Sequence, residues 1–298
     1  MALLLAACTS GPSTTPTPSA LGPGWLSQGT GELVPVVVSS ELAVGPNRFL
    51  VNLVDRQNEP QAAADRPARL DFYDLAASTS APAVSVAGTY MVILETLPGI
   101  YRAPVEFARA GEWGLELITT EPDGSQRRGR VAFSVRPTSS TPAIGAAAVP
   151  SDTPTAATAE EIAAISTDRQ PDADFYRLSV DQALTERQPF MLVFATPAFC
   201  RTATCGPALE VVKSVAPDYK ESVAFIHVEP YQLRPSGDQL QPVLDQNNNP
   251  IPVQAVLDWG LVTEPYIFAV DAEGKVRAKL EGVAGQDELR QALDLISG

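Results

Sequence analysis

The stretch Pro189–Pro207, which reads PFMLVFATPAFCRTATCGP, constrains the fold of this chain more than any other. Its apolar run Met191–Phe194 is typical of a strand that is buried on both faces, as in a sheet covered by helices. The loop that follows contains Cys200 and Cys205, and a Gly-Pro pair then leads into a pattern with helical period. A proline in the first turn of a helix loses no hydrogen bond. The sequence therefore predicts a central strand, a loop with two cysteines and a helix start, in that order.

The two cysteines of this loop are the candidate catalytic residues. Cys205 is predicted to lie at or just before the N-terminus of the helix, where unpaired N–H groups and the helix dipole favour a thiolate. Cys205 would then attack the disulfide of a partner protein, and Cys200 would resolve the mixed disulfide. The opposite assignment also stands, because Cys200 lies nearer the end of the strand. The neighbouring Arg201 adds positive potential to the loop.

The segment from about Asp172 to the C-terminus resembles the thioredoxin-like fold, and specifically the redoxin or thioredoxin-domain lipoproteins of bacteria. Three features carry the resemblance: the cysteine loop after a strand, the sequence Thr263–Pro265 before an apolar strand, and the hairpin turn Asp271–Lys275. Thr263–Pro265 is similar to the cis-proline loop of that fold. Phe175–Leu178 is predicted to be the first strand of the segment.

The resemblance implies an α/β thioredoxin-like fold for residues 159–298 and the activity of a thiol-disulfide oxidoreductase. It implies that Cys200 and Cys205 are catalytic, and that Glu264 and Pro265 present backbone groups to a substrate chain. The partner is then a protein disulfide or dithiol, and no cofactor is implied. The chain departs from the family in two respects. Its cysteines are spaced C-x4-C rather than CxxC, and its central strand has no acidic residue.

Two other interpretations of the cysteine pair stay open. In a non-catalytic binding or scaffold lipoprotein the pair forms a structural disulfide, as close cysteine pairs outside the cytosol often do. In a Sco-like copper protein, Cys200 and Cys205 act as metal ligands together with the chain's one histidine, His227. The spacing differs from the CxxxC of Sco-type proteins, and His227 lies between apolar residues, so we assign no metal site. The peroxiredoxin motif PxxxTxxC does not fit either cysteine.

The region 32–136 is predicted to be all-β. Its short segments alternate between apolar and polar residues or are β-branched, and turn residues lie between them. The run that begins at Leu97, LPGIYRAPVEFARAGEWGLELI, resembles the Ig-like extracellular domains of the FixH and YtkA-like group, which implies a β-sandwich. Related sandwiches bind copper through His and Met, but this region has no histidine and one methionine, Met91. The predicted strands are Leu33–Ser39, Phe49–Val54, Arg69–Leu75, Tyr90–Glu95, Tyr101–Phe107, Trp113–Thr119 and Arg130–Val135.

The predicted fold class is therefore a protein of two domains, which suits a chain of 298 residues. An N-terminal Ig-like all-β sandwich spans residues 32–136, and a C-terminal α/β thioredoxin-like domain spans residues 159–298. Residues 137–158 between them are low in complexity and are predicted to be a flexible linker. The net charge of −14 argues against nucleic acid as a partner. The sequence makes no prediction of an oligomeric state.

Residues 1–31 are predicted to be a truncated signal followed by a tether. The sequence Leu5–Cys8 resembles the lipobox of bacterial lipoproteins, in which the chain is cleaved before the cysteine and the cysteine is lipidated. The apolar stretch is short and has no positively charged start, so it is a poor signal peptide as written. A tether rich in Ser, Thr and Pro follows Cys8 directly. We therefore expect a lipid anchor on Cys8 that holds the protein on the extracytoplasmic face of the cell membrane.

Overall fold

The structure is a computed structural model. It describes residues 24–26, 30–92, 98–200, 204–237 and 239–298. Strands make up 37% of these residues and helices 18%. The described strands form one large antiparallel sheet, one smaller mixed sheet and a two-stranded ribbon. Among the described residues, no helix combines the length and the apolar character that a membrane span requires.

The large sheet contains eight strands in the order β1-β8-β7-β4-β5-β6-β3-β2, and all its pairs are antiparallel. Apolar residues alternate along the strands, so one face of the sheet packs inwards. Phe49, Phe72, Phe107 and Trp113 form the centre of that core, with the rings of Phe107 and Trp113 4.9 Å apart. The strands are β1 (Thr30–Gly31), β2 (Val34–Val37), β3 (Gly45–Val54), β4 (Ala68–Asp74), β5 (Val84–Met91), β6 (Ile100–Phe107), β7 (Gly111–Thr120) and β8 (Gln126–Val135).

This sheet is nearly closed. Strand β5 joins its two sets of strands, and the two outer ends of the sheet also approach each other. The first part of β5 pairs with β4, and residues Thr89–Met91 of the same strand pair with β6. At the other end, the backbone N–H of Leu33 donates to the carbonyl oxygen of Arg128 at 3.4 Å, which brings the beginning of β2 back to β8. A sandwich requires two separate sheets. The predicted sandwich of two separate sheets is therefore corrected to one nearly closed antiparallel sheet, and the all-β character of the region is found.

The smaller sheet has the strand order β10-β9-β13-β14. Strand β9 runs parallel to β10 and antiparallel to β13, which in turn is antiparallel to β14. The elements of this part are α1 (Ala159–Ile165), α2 (Val180–Glu186), β9 (Phe190–Phe194), α3 (Cys205–Val215), β10 (Ala224–Val228), β11 (Leu233–Ser236), β12 (Gln239–Pro242), α4 (Gln254–Asp258), β13 (Tyr266–Val270), β14 (Val276–Glu281) and α5 (Gln286–Asp294).

The C-terminal part is not a clear α/β thioredoxin fold, so this half of the predicted fold class is also wrong. The predicted first strand, Phe175–Leu178, is not a strand. Residues Ala173–Tyr176 form a 3-10 turn, in which Phe175 stacks on Phe225 of β10 at 5.2 Å. Burial of these aromatic rings outweighs their strand propensity. Residues 231–258 also add the separate ribbon β11–β12 and the short helix α4.

The segment predicted to be a flexible linker, residues 137–158, lies along the edge of β14. The N–H of Gly145 donates to the carbonyl of Val276 at 2.7 Å, and the N–H of Val276 donates to the carbonyl of Ala146 at 3.0 Å. Further along, Trp259 donates from its indole nitrogen to the hydroxyl of Ser151 at 3.1 Å. The segment therefore covers a sheet edge whose backbone groups are otherwise open to pairing.

Arg48 of β3 joins the large sheet to the C-terminal part. Its guanidinium donates to both carboxylate oxygens of Glu288 in α5, at 2.6 and 2.7 Å. It also donates to the carbonyl oxygens of Glu281 and Val283, at 2.7 and 2.6 Å. Both side chains of the ion pair are largely buried, with 13% and 8% exposed. Four hydrogen bonds from one planar guanidinium fix the position of α5 against β3.

Candidate redox site

The central strand β9 carries the cysteine loop to one edge of the smaller sheet. All five residues of β9 are buried, and Leu192 pairs with Ile226 of β10 on one side and Phe268 of β13 on the other. A strand with neighbours on both sides and apolar residues at every position is what the sequence predicts for Met191–Phe194. The loop then leaves the sheet, and helix α3 begins at Cys205 itself.

Cys200 and Cys205 form a disulfide bond in the structure. Their Cα atoms are 5.8 Å apart, which is a normal spacing for a disulfide. The bond closes the loop between β9 and α3. Arg201, which was predicted to add positive potential, lies outside the described residues.

The two sulfurs of the pair differ in exposure and in hydrogen bonding. Cys205 is completely buried in the core under α3, whereas Cys200 is partly exposed. The backbone N–H of Cys205, at the start of α3, donates to Sγ of Cys200 at 3.1 Å. An N–H at a helix start stabilises negative charge on the sulfur that it contacts. The geometry therefore favours Cys200 as the accessible nucleophile, which is the reverse of the first assignment drawn from the sequence.

A chain of buried hydrogen bonds runs behind the start of the loop. Nε2 of His227 donates to the carbonyl oxygen of Ala195 at 2.9 Å, because a carbonyl can only accept. Nδ1 of His227 then accepts from the hydroxyl of Tyr176 at 2.8 Å, and Tyr176 in turn accepts from Ser166 at 2.8 Å. Burial lowers the pKa of His227 and raises the pKa of Tyr176. Both side chains are neutral, and His227 fixes the residue from which the loop departs.

This arrangement leaves no nitrogen of His227 for a metal ion. Both ring nitrogens have protein partners. A Sco-like copper site made of Cys200, Cys205 and His227 therefore lacks its third ligand. The part of the chain that the structure describes also contains no cluster of three or more His, Cys, Asp or Glu side chains suited to a metal.

Glu229, which directly follows β10, is a buried carboxylate that the sequence analysis missed. Its Oε1 accepts from the backbone N–H and the hydroxyl of Thr167, at 2.7 and 2.5 Å. The same hydroxyl of Thr167 accepts from the N–H of Ala198 in the cysteine loop at 3.2 Å. Oε2 of Glu229 and Oγ1 of Thr196 are buried and have no hydrogen-bond partner. The sequence did contain a signal, since an acidic residue directly follows the strand after β9. Parallel neighbouring strands end at the same edge of a sheet, so this residue is expected near the start of the cysteine loop.

The segment Ser166–Asp168 bonds to three elements that surround the cysteine loop. Ser166 bonds to Tyr176, Thr167 bonds to Glu229, and Asp168 forms an ion pair of 2.8 Å with Lys213 of α3. The side chains of this ion pair are 6% and 12% exposed. Three consecutive residues therefore connect the 3-10 turn, the end of β10 and helix α3 around the cysteine loop.

The peptide bond between Glu264 and Pro265 is cis, which is the isomer that the resemblance implies. Tyr266, the first residue of β13, pairs with Phe194, the last residue of β9. Pro265 therefore lies at the same edge of the sheet as the start of the cysteine loop. Its carbonyl oxygen accepts from the N–H of Gly282 at 2.8 Å. Cys8, the predicted lipidation site, lies outside the described residues.

Comparisons with known proteins do not identify the chain. No family model matches it, and no curated protein matches it. One solved structure to which it is similar is the PmoD soluble domain from a Methylocystis species, at 16% identity and a TM-score of 0.24. That match covers 35% of this chain and 90% of the PmoD chain. A TM-score this low supports no argument about fold or function.

Proposed function

We propose that this protein exchanges disulfides with a partner protein through Cys200 and Cys205. The observation that supports the proposal most is the difference between the two sulfurs. Cys200 is partly exposed and accepts the N–H at the start of α3, while Cys205 is buried beside it. One sulfur that a partner can reach and one that it cannot are what a nucleophile and a resolving thiol require.

The exchange begins when a thiolate of the partner attacks Sγ of Cys200. The Cys200–Cys205 bond breaks, its electron pair goes to the sulfur of Cys205, and a disulfide forms between the partner and Cys200. The sulfur of Cys205 then takes up a proton. A second thiolate of the partner attacks the partner's own sulfur in this mixed disulfide and releases Cys200 as a thiolate. The partner leaves oxidised by two electrons, and the same steps in reverse reduce a partner disulfide.

The N–H of Cys205 acts on the step that releases Cys200. The leaving sulfur carries the negative charge, and the N–H at 3.1 Å stabilises that charge. A lower pKa of the leaving thiol speeds its departure in disulfide exchange. The helix start therefore assists Cys200 both as nucleophile in one direction and as leaving group in the other.

The cellular setting is part of the proposal. A lipid on Cys8 would anchor the protein to the extracytoplasmic face of a bacterial membrane, where disulfides persist. Labelling with an alkyne fatty acid in a bacterial host tests this anchor, since the full chain should take up the label and the Cys8→Ala variant should not. The partner is a protein dithiol or disulfide, and the acidic chain argues against nucleic acid.

A trapping experiment tests the exchange. In the reduced Cys205→Ser variant, Cys200 attacks a partner disulfide and the mixed disulfide cannot be resolved, so a covalent complex should accumulate. The reduced Cys200→Ser variant is the matched control, because Cys205 is buried and should trap much less. A model substrate such as oxidised insulin supplies the disulfide. If neither variant forms a mixed disulfide, the proposal fails.

The second candidate is a non-catalytic binding or scaffold protein with a structural disulfide, and the complete burial of Cys205 favours it. The reduction potential of the pair separates the two candidates. Working oxidoreductases lie at about −120 to −270 mV, whereas structural disulfides lie below about −300 mV. Equilibration in glutathione or dithiothreitol buffers, followed by mass spectrometry, gives the value. We expect a potential in the first range.

A further inference from the structure

Trp25 fixes the point at which the N-terminal segment joins the folded protein. Its side chain is buried and packs against Tyr73 of β4, with the ring centroids 4.9 Å apart. The ring also covers Gly114 of β7, where a Cβ atom would collide with it. The carbonyl oxygen of the next residue, Leu26, accepts from the N–H of Ala132 in β8 at 2.9 Å. The chain is therefore attached to three neighbouring strands of the large sheet at this point.

Trp25 lies on the outer face of the large sheet. Leu70 and Phe72 of β4 belong to the core inside the sheet. Successive side chains of a strand point to opposite faces, so Asp71 and Tyr73 are on the outside. The contact of Trp25 with Tyr73 therefore places the indole ring on the outside as well.

This face is on the side of the large sheet away from the C-terminal part. The C-terminal part contacts β3 and β6, where Arg48 and Arg102 form ion pairs with Glu288. In the strand order of the large sheet, β7 is four positions from β3, and β8 is four positions from β6. Four positions are half of an eight-stranded sheet that is nearly closed. Trp25 is therefore on the side opposite the part that contains the cysteine loop.

Three arginines lie beside Trp25 on the same face. The guanidinium carbon of Arg130 is 5.0 Å from the centre of the Trp25 ring. Arg69 and Arg128 occupy one row across the sheet, because both pair in register with Ile118. Their side chains are 59% and 58% exposed. The face therefore presents two guanidinium groups to the solvent and a third that stacks on the indole ring.

Two carboxylates of the same face balance part of this charge. Asp71 accepts from Arg69 at 2.9 Å, and Glu116 accepts from Arg130 at 3.0 Å. Arg128 is 3.9 Å from Glu116, which is an ion pair without a hydrogen bond. Three cations and two anions leave an excess of one positive charge. A guanidinium has five N–H donors, so an exposed arginine that already contacts one carboxylate still has donors for a second anion.

The rest of the chain makes this face stand out electrostatically. Residues 1–136 contain 13 acidic and 10 basic side chains, whereas residues 137–298 contain 22 acidic and 11 basic side chains. The net charges of these two regions are −3 and −11, which together give the −14 of the whole chain. An anionic surface therefore repels the C-terminal part more strongly than the large sheet, and it attracts the arginine face.

We propose that the outer face of β4, β7 and β8 around Trp25 lies against an anionic lipid surface. The proposal rests on the lipid anchor at Cys8 that belongs to the proposed function, because Gly24 is the sixteenth residue after Cys8. A random coil of sixteen residues spans about 22 Å. This is less than half the diameter of a compact chain of 298 residues, which is about 50 Å. The anchor brings this side of the protein close to the membrane, and the arginines turn it towards the headgroups.

The orientation also specifies the partner of the cysteine pair. With the large sheet on the membrane, the C-terminal part and its cysteine loop are directed away from the lipid. A soluble protein reaches Cys200 from that side, whereas a protein embedded in the same bilayer does not. The dithiol or disulfide partner is therefore a soluble extracytoplasmic protein.

Coupling of the protein to vesicles gives a direct test of this orientation. The full chain is attached through the thiol of Cys8 to vesicles that contain a maleimide lipid. Cys200 and Cys205 do not react, because they are joined in a disulfide. Vesicles of phosphatidylcholine with phosphatidylglycerol supply the anionic surface, and a dansyl-labelled lipid accepts energy from the tryptophans of the protein.

The three tryptophans of the chain are the donors. Trp259→Phe leaves Trp25 and Trp113, which belong to the large sheet. The double variant Trp25→Phe with Trp113→Phe leaves Trp259, which belongs to the core of the C-terminal part. Phenylalanine keeps an aromatic ring at each changed position. We expect more efficient energy transfer to the lipid from the donors of the large sheet than from Trp259.

The double variant Arg69→Gln with Arg128→Gln should remove most of this difference. Each cation near an anionic surface favours its orientation by about five-fold, and the variant loses two of them. Arg169→Gln with Arg177→Gln is the matched control, since it changes the net charge equally at exposed positions of the C-terminal part. The control should retain the difference, because it makes the C-terminal part more acidic still.

A change of lipid tests the same point without any substitution in the arginine face. On vesicles of phosphatidylcholine alone, the difference between the two donor sets should become smaller. The proposal is overturned if both donor sets transfer energy equally on the anionic vesicles, or if the arginine variant and its control behave alike. These results concern the orientation only, because the coupling to the vesicle is chemical. Fatty-acid labelling in cells tests the anchor separately, and mixed-disulfide trapping tests the exchange.

Discussion

The cysteine region and the region between the two parts of the protein are built in opposite ways. One stretch of chain, Phe190–Cys205, supplies the strand, the loop and the helix start of the cysteine region. The region between the parts joins residues that are far apart in the sequence, such as Arg48 and Glu288, which are separated by 240 positions. The first depends on local chain geometry, and the second depends on how complete elements pack together.

The two regions also differ in their charged side chains. Behind the cysteine loop, His227 and Tyr176 are neutral and satisfied, and one oxygen of Glu229 is buried without a partner. Between the large sheet and the C-terminal part, several charged groups lie close together. Arg48 alone donates hydrogen bonds to Glu288 and to two carbonyl oxygens. Removing one member of such a buried ion pair leaves the other charge uncompensated. We therefore expect the larger losses of stability in the region between the parts.

The largest expected effect is that of Arg48→Met. The substitution keeps an unbranched side chain but leaves the buried Glu288 with one guanidinium instead of two. We expect a loss of about 3 kcal/mol in the free energy of unfolding, measured by urea denaturation. Arg169→Met, at an exposed position, is the control and should change stability by less than about 0.5 kcal/mol. An equal and small effect of both substitutions would remove the distinction between the two regions.

The next effect concerns the pH dependence of stability in the cysteine region. Burial lowers the pKa of His227 in the folded protein below its ordinary value of 6.5. As the pH falls through 6.5, the unfolded chain takes up a proton that the folded protein refuses, so acid favours the unfolded state. This contribution to stability is complete above pH 6.5 and is lost at a rate approaching about 1.4 kcal/mol per pH unit below it.

The measurement compares wild type with His227→Gln in urea denaturation at pH 7.5 and pH 5.0. The variant keeps a donor and an acceptor near Ala195 and Tyr176 but does not titrate. Other groups, including Glu229, Asp168 and Lys213, are present in both proteins, so their pH dependence cancels in the difference. We expect the wild type to lose more stability than the variant. Parallel losses would show that His227 takes its proton in the folded state.

Local patterns in the sequence predicted local structure well. The apolar run before the cysteines is strand β9, and the Gly-Pro pair marks the first turn of α3. The capping box of α1, in which Thr158 and Glu161 are three residues apart, is another local feature, and both of its hydrogen bonds are present. These features depend on neighbouring residues, for which backbone geometry allows few alternatives.

The arrangement of the elements could not be predicted in the same way. The shared strand β5 and the 3-10 turn at Phe175 result from packing against distant residues, which the pattern of a short segment does not contain. The same holds for the site, since the bond from the N–H of Cys205 to the sulfur of Cys200 depends on the path of the loop.

The smallest expected effect is that of Thr167→Val, which tests how the buried Glu229 acts on the cysteine loop. The substitution keeps the shape of the side chain but removes the hydroxyl that donates to Glu229 and accepts from Ala198. We expect a loss of about 1 kcal/mol in the free energy of unfolding. Thr167→Ser retains the hydroxyl and is the matched control, so it should retain most of the stability.

Hydrogen exchange at the amide of Ala198 distinguishes a local effect from a general one. That amide is bonded to Thr167 in the wild type, so its exchange should become faster in Thr167→Val than in Thr167→Ser. The amides of β3, which lie in the large sheet, should keep their protection. If exchange at Ala198 is unchanged while the whole protein is destabilised, Thr167 supports the core rather than the loop. The cysteine region would then depend on long-range packing as much as the region between the two parts does.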